Sequence, residues 1–480
     1  MKKISIAFAL FYSIIALAQD KEKDTTVSFK KRVLESTEVD LLLSYYKQNG
    51  LNSAVSGGMG SEKLTDLASN IVISLPLNVD DVLTIDTGIS AYTSASSSNI
   101  NPFNSSGASG GGGDDEDRAP VPASSPYGTP WLASSGASAS DALLNVTANY
   151  SHSSDDRNFI WNTDVSFSNE YDYTSIGFGG GLAKLYNEKN TELSVKANVY
   201  LDQWRPIYPT ELHEFSKFGS GFLNNGYFSG VPIYNQSGLV DSNYLPSKFE
   251  SISSVNRNSY SLSFSYSQIL NKKLQLSLFF DVLRQEGLLS TPYHRIYFAD
   301  KENYYIGKPE FIPVYETTQN IGVFRLADDI ERLPSTRFKL PFGLRMNYYI
   351  NEIFKVRAYY RYYTDDWSVK SHTVNLEVPI KLSDRFTVFP IYRYYTQNAS
   401  KYFAPFETHV SSEKFYTSDY DLSKFNSNQY GCGISYVDLL TNAKVFIFGL
   451  KNIDFRYNHY QRSNNLNADI FTIGFKFIML

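Results

Sequence analysis

Charged side chains recur on one parity of alternating apolar segments, and that spacing is where this sequence could do chemistry. Placing the apolar residues of each segment on one face leaves Lys339, Arg345, Lys355, Arg357, Arg361, Lys381, Arg385 and Arg393 on the other in the later part of the chain. In the earlier part the same reading leaves Asp86, Asp164, Glu170, Asp202 and Asp281, with Lys196 and Lys273 as exceptions. Facing one another across a water-filled space, these sets would create a transverse field that biases the passage of polar solutes. A cation-lined wall of this kind favours anionic or zwitterionic solutes. The alternative is an Arg–Asp network that only stiffens the wall.

Other reactive residue types lack a pattern. His152, His213, His294, His372, His409 and His459 are scattered with no ligand spacing, so no metal site is expected. Four of them, His213, His294, His409 and His459, fall in segments read as outer loops. The run Asp114, Asp115, Glu116 and Asp117 could collect calcium, or simply be solvated. The stretch Gly177-Phe178-Gly179-Gly180-Gly181 sits inside a strand-like segment with no helix after it, which excludes a phosphate loop. Glycine there permits a bend or close packing beneath aromatics. Ser, His and Asp all occur in the loops, but nothing in the linear sequence aligns them into a triad. No catalytic, cofactor-binding or metal residues are therefore assigned, and no cofactor is expected.

Period-2 strands must position the charges. Tyr260, Leu262, Phe264 and Tyr266 alternate with Ser259, Ser261, Ser263, Ser265 and Ser267. Val374, Leu376, Val378, Ile380 and Leu382 alternate with Thr373, Asn375, Glu377, Pro379 and Lys381. Short polar turns at 78–81, 153–157, 187–190, 271–273, 351–353, 383–385 and 441–443 alternate with connections at 96–139, 171–173, 204–256, 286–335, 365–368, 398–425 and 458–466, and every long connection falls on the same side. This asymmetry predicts an all-β fold: a transmembrane antiparallel β-barrel of about 16 strands, with short periplasmic turns and long extracellular loops. The first strand is placed at 51–60 and the last at 467–480, where Phe471, Ile473, Phe475, Phe477 and Met479 are apolar at every odd position. The last strand is expected to zip to the first. Residues 51–480 form the barrel, residues 19–50 a periplasmic segment or plug, and the Gly/Ser-rich stretch 96–139 an extracellular loop.

Composition agrees with a barrel. Tyr (37) and Phe (33) are abundant while mean hydropathy is only −0.29, as expected where half of each strand meets lipid and aromatics form interfacial girdles. A single cysteine, Cys432, excludes a disulfide framework and a multi-cysteine cluster. The net charge of −5 argues against nucleic acid as a partner. At the start, Lys2 and Lys3, an apolar run from Ile4 to Leu17, and Ala16-Leu17-Ala18 read as a signal peptide over 1–18, cleaved before Gln19.

Several phrases resemble an uncharacterised Bacteroidota outer-membrane barrel family, domain of unknown function 3570. They are Tyr45-Tyr46-Lys47-Gln48-Asn49-Gly50, the stretch from Asn52 to Asp66, the stretch from Ser90 to Pro102, Ser134-Ser135-Gly136-Ala137-Ser138-Ala139-Ser140-Asp141, and Asp202-Gln203-Trp204-Arg205-Pro206-Ile207-Tyr208-Pro209-Thr210-Glu211-Leu212. The family pattern carries His where Asn52 stands, so no ligand role is carried over to that position. The resemblance implies an outer-membrane location with no established reaction. It also implies, at most, a role beside a small lipoprotein, a thioredoxin-like envelope protein or an enzyme that attaches flavin to exported proteins. The leading expectation is a non-enzymatic channel, or a membrane platform for an exported envelope complex, with outer-membrane lipids as its surroundings. A sheath for a redox or flavoprotein partner and a barrel-rim hydrolase stand as alternatives.

Overall fold

Alternation of apolar and polar residues turns each strand into a two-faced ribbon, and sixteen such ribbons close on themselves. The computed structural model describes residues 31–94, 140–314 and 323–480. The expected signal peptide, the loop 96–139 and its acidic run lie outside them. The barrel strands are β1 (Glu38–Asn49), β2 (Leu64–Pro76), β3 (Asp81–Ser94), β4 (Ser140–Ser153), β5 (Phe159–Asn169), β6 (Tyr173–Tyr186), β7 (Thr191–Trp204) and β8 (Asn256–Asn271). They continue with β9 (Leu274–Gly287), β10 (Thr336–Tyr349), β11 (Lys355–Asp365), β12 (Lys370–Glu377, extended by Ile380–Lys381), β13 (Phe386–Gln397), β14 (Phe425–Val437), β15 (Phe448–Arg462) and β16 (Asn467–Met479). Every neighbour is antiparallel, and β1 pairs with both β2 and β16, so the sheet has no edge.

The two faces are inverted relative to a soluble protein. Leu67, Ile89, Val165, Phe178, Leu262, Phe264, Leu278 and Phe342 are exposed, whereas Ser44, Asp66, Thr84, Asn149, Ser175 and Asp202 are buried. Apolar side chains outward and polar ones inward is the pattern a hydrocarbon surrounding selects, because a closed barrel satisfies every strand's backbone groups within the sheet.

The barrel begins earlier than expected. Residues 51–60 are not its first strand, and the segment 19–50 is not wholly a periplasmic segment or plug, because Glu38–Asn49 forms β1. The run Leu41-Leu42-Leu43 hid its period. Leu41, Leu43 and Tyr45 point outward, while Asp40, Ser44 and Gln48 are buried inward. Residues 50–63 are instead a connection on the long-loop side. A single 3-10 turn spans Ala54–Ser56, followed by Gly57 and Gly58 at φ 76° and 92°, a left-handed conformation that glycine adopts without strain. Two further boundaries move. Strand β15 runs on to Arg462, so the expected connection 458–466 shrinks and His459 lies in a strand. Strand β12 breaks at Val378-Pro379, where proline supplies no N–H to the ladder.

On the long-loop side, the connections 205–255 and 398–424 and the described parts of the third, 288–314 and 323–335, merge into a cap. It contains helix α1 (Thr210–Phe218) and two short ladders, Arg295–Ile296 with Asp329–Ile330 and Tyr305–Gly307 with Val323–Arg325. Its apolar centres are Phe222, Phe228, Ile233, Tyr244, Tyr304 and Leu326, and next to them Leu212, Phe249, Tyr297, Ala327 and Ile330.

The position of β1 is testable by its faces. Leu43 pairs with Ile473 midway along β1 and β16 and points outward. Leu43→Arg should lower unfolding free energy by about 2–4 kcal/mol, the cost of a cation at the bilayer midplane. Ser44→Arg, directed inward, should cost less. Urea titration in phospholipid vesicles reads both.

Candidate functional site

The inward face of the barrel is the site, and strand parity decides which residues reach it. Asp86, Asp164, Asp202 and Asp281 lie inward on β3, β5, β7 and β9, and Lys339, Arg345, Arg357, Arg361 and Arg393 lie inward on β10, β11 and β13. Four expected members stand elsewhere. Lys355 is the exposed first residue of β11, at the turn rim. Lys381 ends the broken β12 and pairs with Asp384 at 2.6 Å in the turn that also holds the exposed Arg385. Glu170 is buried just beyond β5 on the cap side, its N–H donating to Tyr173 O. The interruption at Pro379 explains Lys381, which would otherwise have continued the inward parity.

Glu377, on the polar parity of its segment, also lies inward, and further inward charges escaped the sequence reading: Arg257, Arg337, Asp365, Asp454, Arg456, Arg462, Lys476, Glu38, Asp40, Asp66 and Glu192. Their signal lay in register. Asp202 faces Arg257, Arg357 faces Glu377 and Asp40 faces Lys476 across adjacent strands. The resulting ion pairs are local, not across the lumen. Arg357 lies 2.7 Å and Arg456 3.4 Å from Glu377. Arg337 meets Asp365 at 2.5 Å, Lys196 meets Asp164 at 3.6 Å, Arg257 meets Asp202 at 3.6 Å, and Lys476 meets Glu38 at 2.6 Å.

Even so, the charge is divided. On β10 to β15 the inward cations Arg337, Lys339, Arg345, Arg357, Arg361, Arg393, Arg456 and Arg462 outnumber the carboxylates Asp365, Glu377 and Asp454. From β16 round to β9 the acids Glu38, Asp40, Asp66, Asp86, Asp164, Glu192, Asp202 and Asp281 outnumber Lys196, Arg257 and Lys476. Strands eight apart in a sixteen-strand barrel lie on opposite sides, so the basic arc faces the acidic one.

Aromatic rings laid across glycines shape the lumen between these arcs. A Cβ on Gly343 of β10 would sit 2.0 Å from the Phe279 ring, so its absence lets that ring cross from β9 and stack on Tyr359 of β11 at 5.6 Å and 4°. The Arg345 guanidinium lies 5.0 Å from the Phe279 ring centre. Phe389 crosses Gly433 in the same way to meet Arg456 at 4.6 Å, and Tyr200 crosses Gly177 of the glycine run. A guanidinium over a ring gains a further attraction there and keeps its charge, as Arg456 does while it also meets Glu377.

The cap is tied to the outer end of this lumen. Inward Gln397 donates to Asp421 O and Ser423 O, Arg462 pairs with Asp421 at 2.5 Å, and Gln48 donates to Glu62 O. The first connection packs under the cap, where Arg295 donates to Val55 O and Tyr297 fills the space a Cβ on Gly57 would need. Arg295–Glu211 at 2.8 Å and Arg325–Glu407 at 3.0 Å knit the cap itself. Burial opposes ionisation of Glu407, but the Arg325 guanidinium overcomes it and holds that carboxyl below its ordinary range. Burial pushes the Asp328 carboxyl up to about 6 although Phe298 N–H donates to it. The histidines, unremarkable in sequence, divide here. His213 is exposed on α1, His409 Nδ1 donates to the Glu413 carboxylate at 2.6 Å, and His294 comes together with Glu331 and Asp419.

An edgeless sixteen-strand antiparallel barrel with an apolar exterior and a charged interior defines an outer-membrane-type β-barrel. The chain belongs to the family described as Protein of unknown function (DUF3570), whose model matches residues 7–473. No curated protein matches it. Among solved structures it is similar to a bacterial polysaccharide outer membrane secretin, with 9% identity and TM-score 0.38 over 92% of this chain and 98% of that one. It is also similar to a Pseudomonas aeruginosa FadL homologue, with 8% identity and TM-score 0.35 over 92% and 90%, and to Pseudomonas aeruginosa OccK1 (OpdK), with 6% identity and TM-score 0.34 over 92% and 98%. Similarity at this level carries no argument about solute or partner.

Two outcomes follow from the geometry. Gly343→Val should push the Phe279 ring off Tyr359 and cost about 1–3 kcal/mol, the usual price of overpacking, read by urea titration in detergent micelles. For Asp328, the folded carboxyl holds its proton more tightly than the unfolded one. Its contribution to cap stability is therefore fully present below about pH 4 and is lost as pH rises through about 6. Amide exchange across 288–335 should accelerate over that window beyond its ordinary pH dependence, and Asp328→Asn, which keeps an acceptor for Phe298 N–H, should remove the excess.

Proposed function

We propose that this barrel is a non-enzymatic conduit of the outer membrane for polar solutes bearing negative charge, with the loop cap as its outer gate. The observation that carries the reading is the division of inward charge into a basic arc on β10–β15 and an acidic arc on the opposite strands. Opposed charges set up a field perpendicular to the barrel axis. Such a field orients dipolar solutes, and the richer guanidinium side offers bidentate contacts to carboxylate or phosphate groups. Arginine suits this task because its charge persists at any pH the envelope meets. The cap closes over the outer end through side chains of the lumen wall itself, Gln397 and Arg462, so opening must break those contacts.

Planar-bilayer recording in a salt gradient tests the reading. The wild type should conduct, and its reversal potential should report anion preference. Arg357→Gln with Arg361→Gln should move that potential toward the unselective value. No conductance from a barrel lacking 205–255 and 288–335 of the cap, or a reversal potential indifferent to both arginines, would end the proposal.

A second reading, a membrane platform for an exported complex, is favoured by one feature of the cap. Leu239, Val240, Phe311 and Phe324 are exposed on segments held together by the Tyr234–Tyr305 bridge and the Tyr305–Gly307 ladder, with Gly238 against Pro309. A clustered apolar surface on an outer loop suits a protein partner. The small lipoprotein and the thioredoxin-like envelope protein that the family resemblance implies are the candidates. A native pull-down that returns one of them, and loses it with Val240→Asp, would favour the platform.

A further inference from the structure

From the meeting of His294, Glu331 and Asp419 we infer that the cap holds a divalent transition-metal site, of the zinc type, that pins two of its connections together. His294 and Glu331 come from opposite ends of the connection 288–335, and Asp419 comes from the connection 398–424. One donor atom from each lies within 4.8 Å of the other two, and His294 Nδ1 is 3.5 Å from Glu331 Oε2. Zinc binds nitrogen and carboxylate oxygen at about 2.0–2.2 Å, which in a tetrahedral arrangement sets donors about 3.4 Å apart. The His–Glu spacing already matches, and the Asp419 donor lies within 4.8 Å of both.

The donor set selects the ion class. Calcium and magnesium take oxygen ligands, whereas an imidazole beside two carboxylates suits zinc and its neighbours in the transition series. The surroundings fix the donors in place. Thr417 donates its hydroxyl to Glu331 Oε2 at 2.5 Å, while Thr291 N–H donates to Glu331 Oε1 at 2.7 Å. Asp421 N–H donates to Asp419 Oδ1 at 2.9 Å, and Asp419 N–H donates to Thr417 Oγ1. Thr417, fully buried, thus links the Glu331 carboxylate to the Asp419 backbone and orients that carboxylate, the part that outer partners play around metal ligands. His294 and Glu331 are each only 3% exposed. Two carboxylates brought beside an imidazole at that depth carry more negative charge than the imidazole can balance, and a dication supplies the remainder. Asp421, two residues on from Asp419, is engaged by Arg462.

The functional consequence is specific to the gate. The site joins the connection after β9 to the one after β13, and the latter is the segment that Gln397 and Arg462 hold against the lumen wall. Metal binding would therefore lock the cap. This inference stands independently of what passes through the barrel.

The test uses the full barrel in detergent micelles, stripped with a chelator and titrated calorimetrically with zinc chloride, and with calcium chloride in parallel. One zinc per chain is expected, with calcium far weaker, and tryptic cleavage of the cap should slow when zinc is added. Thr417→Val should weaken zinc by about 10–100-fold, as loss of an outer partner does, and His294→Asn should weaken it further. Asp419→Asn, the least buried ligand, serves as a second variant if the first disturbs the fold. Folding of each is confirmed by the gel mobility of the unheated barrel. Absence of a one-to-one zinc site in the wild type overturns the inference. So does zinc binding that His294→Asn and Asp419→Asn both leave intact.

Discussion

Every backbone N–H and C=O that enters hydrocarbon must find its partner within the protein, since each unpaired group costs several kcal/mol there. The pairing of β1 with β16 meets that demand: Leu43 opposite Ile473 and Tyr45 opposite Phe471 close the ring. With closure fixed, the side-chain period of two does the rest. One parity must be apolar for lipid, and the other is freed to carry Asp, Arg, Ser and Asn. The charged lumen is thus a by-product of closure as much as a feature in its own right.

Inside, size and charge are reconciled by simple devices. Glycines at 343, 433 and 177 leave room for rings that cross from neighbouring strands, and arginines lie against those rings. Carboxylates that would otherwise be stranded inward are paired with cations on nearby strands, as with Glu377 between Arg357 on the adjacent β11 and Arg456 on β15. Local pairing lowers the cost of burying charge. It leaves the imbalance between the two arcs as the net charge pattern of the inward face.

Much of the architecture could be read from the chain, because alternation is a local signal. The serine face of β8 and the apolar odd positions of β16 announced themselves. Strand β1 did not, since Leu42 within the triple leucine is buried on the inward face and broke the apparent period. Lumen charges were legible where a strand was regular, as for Arg357 and Asp164, and misplaced where one ended or broke, as for Lys381, Arg385 and Glu170. The cap was opaque for a different reason. His294, Glu331 and Asp419 meet only because two connections fold on one another through rings such as Tyr297, Phe298 and Tyr416, and nothing in linear spacing reports contacts so distant in sequence.

The central claim is that lipid and water see opposite parities of the same strands. Spin labels placed singly along Arg257–Gln268 in a Cys432→Ser background test it most directly, by comparing collision with oxygen, which concentrates in lipid, against collision with a water-soluble relaxation agent. The account predicts strict alternation, with labels at Leu262, Phe264 and Tyr266 favouring oxygen and those at Ser261, Ser263 and Ser265 favouring the aqueous agent. Labels that respond alike at both parities, or in the reverse order, would contradict it.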